Sequence, residues 1–156
     1  MFKSIGMIFV FFSVFCALMR RTIIWYFSHI LIKQTEYIFR YLLYRNLSLT
    51  TYPEIFAELN SDKLYLYKDF IFSDRDNFFK NFRYKSLMDS YRLNMVKDKF
   101  FYLGYRNSAD EKAYIENSVA ELHLLSETYK EKYIKNYKSD RLCGLSISVI
   151  IIVLII

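Results

Sequence analysis

A chain of 156 residues with a net charge of +6 is one domain's worth of protein. Its 54% apolar content is unevenly spread: all 16 acidic residues, and all 22 basic ones except Lys3, lie between Arg20 and Arg141. Uncharged ends around a charged middle exclude an ordinary soluble domain and match apolar spans flanking a solvated segment.

Residues 4–19, SIGMIFVFFSVFCALM, carry no charge. With Phe2 and Lys3 they make a helix about 27 Å long, near the thickness of a bilayer's hydrocarbon core. Arg20 and Arg21 close it. We expect a retained membrane anchor over residues 1–21 rather than a cleaved leader, because Val14-Phe15-Cys16 lacks the small residue that should precede a lipoprotein cysteine.

Residues 22–107 form the aromatic-rich middle. His29, Lys33, Glu36 and Arg40 fall on one helical stripe, while the other faces are Ile, Leu, Phe, Tyr and Trp. Such a helix needs protein or lipid around it. It either continues the first span to residue 47 or breaks near Arg20 and lies on the surface. Pro53 begins a short helix, PEIFAELN. Residues 62–72 read as helix or irregular chain, since no second strand is in sight to pair with them. Ser73 or Asp74 caps one helix running to a stop at Gly104.

Residues 108–156 are expected to form one long helix. Ser108 and Glu111 have capping-box spacing, and Ile115, Val119, Leu122, Leu125, Tyr129, Tyr133 and Tyr137 follow steps of three or four. The helix leads into LCGLSISVIIIVLII, about 22 Å long and thus short for a full span. A lone strand there would leave its backbone groups unpaired in lipid, so helix is favoured.

The fold class read from this pattern is an all-α membrane protein, with apolar helices at both termini flanking a helical middle. Arg20, Arg21, Trp25, Lys138 and Arg141 are the expected membrane-interface anchors. Their charges place the middle in the cytoplasm or matrix, and both termini at the opposite face.

No catalytic, cofactor or metal residues are expected. His29 and His123 lie far apart in sequence, and His123 with Glu127 reads as a surface pair. Three glycines make no phosphate loop, and no G-x-S-x-G occurs. Cys16 and Cys143 form no disulfide framework and read as small buried apolar residues. The segment Phe79-Lys80-Asn81-Phe82-Arg83-Tyr84-Lys85 interleaves charge with aromatics, but acidic residues nearby favour an amphipathic helix over a nucleic-acid surface. The expected partners are other subunits of a membrane complex and lipid, including anionic headgroups. Neither nucleic acid nor a small-molecule substrate is expected.

Phe and Tyr, 15 of each, accompany abundant Ile, Asn and Lys, while Gly numbers 3 and Pro 1, a balance that points to an AT-biased gene. In this composition, and in starting with the apolar stretch Met1–Met19, the chain resembles the diverged membrane subunits of respiratory-chain or ATP synthase complexes encoded in ciliate mitochondrial genomes. The resemblance implies a non-catalytic accessory or scaffold subunit of an oxidative-phosphorylation complex, on the inner membrane with its middle in the matrix. Uncharged spans argue against a proton path, and a second apolar end is unusual for an ATP synthase stalk, so cytochrome c oxidase or complex I is preferred. The alternatives are an ATP synthase membrane subunit and a stand-alone small membrane adaptor or toxin of an AT-rich bacterium or parasite.

Overall fold

The computed structural model describes residues 2–45, 51–59, 64–105 and 107–155. Among them every regular element is helical. Two long helices dominate: α1 (Phe2–Tyr44) and α5 (Ser108–Ile155), about 65 and 72 Å long at 1.5 Å per residue. Neither contains proline, and Gly6 and Gly144 are their only glycines. The first helix therefore runs without a break through Arg20 and Arg21, which settles the choice that the sequence left open; residues 46 and 47 lie outside the described set.

The two helices are antiparallel. Phe15 meets Gly144, Arg21 meets Asn136, Trp25 meets Tyr129, and Glu36 meets His123. At Gly144 the approach is so close that a Cβ would lie 2.8 Å from the Phe15 ring. This brings the two uncharged ends to the same end of the hairpin, where they form an arm.

A body of short elements covers the other end. These are α2 (Tyr52–Glu58), α3 (Arg75–Lys80), α4 (Ser90–Phe101) and short 3-10 turns at Tyr65–Tyr67, Phe72–Asp74 and Lys85–Leu87. Pro53 opens α2 as expected, and Glu54 reaches back to accept from the Thr51 amide at 2.9 Å. The Tyr65 turn is tied to α1: Gln34 Oε1 accepts from the Leu66 amide at 3.1 Å, and the Thr35 and Tyr67 hydroxyls are 2.6 Å apart.

The single helix expected from residue 74 to 103 is instead two helices with a turn between them. Asn81 ends α3, and Asp89 starts α4 by accepting from the Tyr91 amide at 3.0 Å. Asn and Asp bond to nearby backbone and so favour ends over interiors. The break lets Phe79 and Phe82 both turn inward. α4 ends at Phe101, capped by Tyr102, and Gly104 follows in the turn at φ 85°, a left-handed conformation that glycine adopts freely.

The core of the body is aromatic. Phe100 is fully buried and touches Phe39, Phe70, Phe79 and Tyr67 at ring separations between 5.0 and 5.6 Å. Leu31, Ile32, Ile38, Phe39 and Leu42 of α1 are also fully buried there. The apolar second half of α1 is thus covered by protein.

Its first half is not. From Ile8 onward α1 is long and apolar enough to cross a membrane, a test that a signal sequence or a core helix also passes. Only 6% of its most apolar window is buried, which sets it apart from a core helix.

Candidate functional site

The junction of body and arm gathers most of the expected anchors. Arg20 and Arg21 come from α1, and Lys138 and Arg141 from the facing turns of α5. All four are exposed and form a basic collar at the level where both helices lose their charges. Arg21 donates to Asn136 Oδ1 at 2.6 Å, fastening the collar across the hairpin. Beneath it the Thr22 hydroxyl donates to Asp140 Oδ2, and Asp140 is 1% exposed. Sequence reading missed Asp140, although Tyr133, Tyr137, Asp140 and Gly144 continue one stripe in steps of three or four.

Trp25 lies one turn toward the body and is half-buried rather than displayed. Its ring packs on Tyr129 at 5.4 Å, and the Arg92 guanidinium stands 3.9 Å from it and 4.6 Å from Tyr129. Arg92, from α4, is 7% exposed; Nη1 donates to Ser28 Oγ at 3.3 Å and pairs with Asp89 at 3.5 Å. Ring faces supply the negative potential that this buried cation loses on leaving water. Lys132 Nζ stands 5.2 Å from the same Trp25 ring. The cluster locks α4 to the hairpin just inside the collar. No spacing rule would have joined Arg92 to Trp25, because the contact spans three elements.

Beyond the collar, the arm presents apolar surface on both helices. Phe9, Val10 and Phe12 are 61–70% exposed, as are Leu142, Leu145 and Val153 at 58–69%. Cys16 and Cys143, expected as small buried residues, are free thiols exposed on this arm. A contiguous apolar surface of this kind is unfavourable in water and marks lipid or protein contact.

Other polar groups hold the body together. Glu36 Oε1 accepts from Arg40 Nε at 2.8 Å and lies 3.0 Å from His123 Nδ1 across the hairpin. The surface pair of His123 with Glu127 is therefore replaced by an inter-helix contact, with Glu127 bonded to Lys130. His29 Nδ1 lies 3.1 Å from the Ser126 carbonyl, and burial lowers its pKa. Each histidine is engaged separately, and no group of three metal-ligating side chains occurs among the described residues.

The cap of α5 is Asn107, which accepts from the Asp110 amide at 2.9 Å. Glu111, expected in a capping box with Ser108, turns inward. It accepts from the Tyr52 hydroxyl and from the Gly104 amide, and burial with that carboxylate pushes the Tyr52 phenol far above its ordinary pKa. The charged segment around Phe79 and Phe82 spends both rings in the core and leaves Lys80, Arg83 and Lys85 exposed. No family model, no curated protein and no solved structure matches the chain.

Proposed function

We propose that the chain is a membrane-anchored, non-catalytic accessory subunit, inserted by its two-helix arm and carrying its aromatic body on the side of the basic collar. The observation that supports this most strongly is the arm itself: two helix ends side by side, uncharged between Lys3 and the collar, apolar outward, and cut off at one level by Arg20, Arg21, Lys138 and Arg141. A hairpin keeps its backbone hydrogen bonds internal in lipid, and the cations remain among headgroups. Paired with α1, the short C-terminal segment need not span alone.

The finer assignment rests on the compositional resemblance. It makes the chain a scaffold subunit of an inner-membrane oxidative-phosphorylation complex, with a respiratory-chain complex preferred over the ATP synthase and the body in the matrix. The aromatic core and separately engaged histidines suit a structural role. A native gel of detergent-solubilised membranes tests it: co-migration with haem absorbance or NADH dehydrogenase activity supports a respiratory complex. Co-migration with ATPase activity moves the chain to the ATP synthase. A stable monomer sinks the subunit reading altogether.

A further inference from the structure

Just beyond the collar, α1 and α5 part to leave a slot of about 510 Å3. Phe11, Phe15 and Met19 of α1 and Leu145 of α5 form apolar walls, and Asp140 and Arg141 stand at the collar end. Asp140 is the anomaly. One carboxylate oxygen accepts from Thr22, while the other, Oδ1, is buried without a hydrogen-bond partner. A buried carboxylate oxygen is unfavourable unless a donor meets it. None of Arg20, Arg21, Lys138 or Arg141 makes an ion pair with Asp140 among the described residues. Asp140 and Arg141 therefore line the same end of an apolar slot.

The walls are apolar and both polar groups stand at one end, which is the layout of a chain-like amphiphile. We propose that the slot binds a phospholipid whose head carries a primary ammonium, with one acyl chain along the walls, the ammonium donating to Asp140 and the phosphate accepting from Arg141. A quaternary ammonium has no N–H to give Asp140, and a head with a phosphate alone leaves that carboxylate unmet. The proposal rests on the membrane reading above.

The test is lipid retention by the full-length chain in mixed micelles containing equal amounts of phosphatidylethanolamine, phosphatidylcholine and phosphatidylglycerol, read by native mass spectrometry. Phosphatidylethanolamine should be retained about tenfold over phosphatidylcholine, a preference of about 1.4 kcal/mol. Asp140→Asn should bring the two near parity, and Arg141→Gln should weaken retention of all three. Leu145→Trp, which fills the slot and leaves both charges in place, should abolish retention; unchanged helical circular dichroism shows that each variant folds. Equal retention of phosphatidylethanolamine and phosphatidylcholine by the unaltered chain overturns the proposal, as does a preference that survives Asp140→Asn. Dominant retention of phosphatidylglycerol also overturns it, because that head carries no ammonium. Micelle retention does not depend on insertion into bilayers, so failure of the membrane reading and failure of the slot are read separately.

Discussion

The body and the arm are built from the same two helices, and their apolar residues meet opposite fates. On α1, Leu31, Ile32, Ile38, Phe39 and Leu42 are 0% exposed, while Phe9 is 70% and Phe12 64% exposed. On α5, Ile115 and Leu122 are 0% exposed, and Leu142 and Val153 are 65% and 69%. Both regions are rich in large hydrophobes, so apolar content does not distinguish them. The difference lies in what each region is given to pack against. Residues 51–59 and 64–104 fold back over the inner half of the hairpin and satisfy it with protein. Nothing in the described chain folds over the outer half, and its lack of charge leaves it suited to lipid.

The contrast is broken most strongly in the body. Phe100→Ala empties the centre of the aromatic core and should cost about 3–5 kcal/mol in denaturant unfolding, as large-to-small core substitutions do. Phe12→Ala in the arm should leave the same unfolding curve nearly unchanged. Equal losses at both positions would mean that the arm is core. The next effect runs the other way. Phe12→Asp should weaken membrane insertion by about 2.5–3.5 kcal/mol, read as release of the chain from carbonate-washed membranes. The body's folding should be indifferent to it.

Smaller effects sharpen how the body is held. Asp89→Ala removes the cap of α4 and one partner of Arg92, and should cost about 1 kcal/mol in thermal stability. The smallest concerns His29, whose pKa is lowered from 6.5 chiefly by burial, with Lys33 and Lys130 adding to the shift and the Ser126 carbonyl opposing it. A base with a lowered folded pKa binds fewer protons folded than unfolded, so stability is lost as pH falls through 6.5 toward the folded value. The melting temperature should therefore drop more between pH 7 and 5 for the unaltered chain than for His29→Gln. A steeper drop in the variant would contradict the shift.

Much of this contrast was legible in the sequence, for physical reasons that differ by element. Long runs without proline defined α1 and α5, and Pro53 and Gly104 marked a start and the turn after α4 through their backbone preferences. What covers the second half of α1 was not legible. Apolar periodicity says that a face is buried, not by what, and here the cover is a set of turns held by Gln34 and Thr35. The break between α3 and α4 was missed because Phe78 and Phe82 keep helical spacing across it. Glu111 kept the spacing of a capping box while its side chain served Gly104 and Tyr52. At the collar the cations were visible as a charge boundary. Asp140 was hidden because its partner, Thr22, is 118 residues away.

The central claim is that the arm lies in lipid, and Cys16 reports on it directly. It sits on the exposed surface of the arm one helical turn beyond Arg20. In a Cys143→Ser background, labelling of Cys16 by a membrane-impermeant maleimide should be blocked in intact membranes and complete once the chain is denatured. Labelling in intact membranes as fast as in the denatured chain would contradict the account.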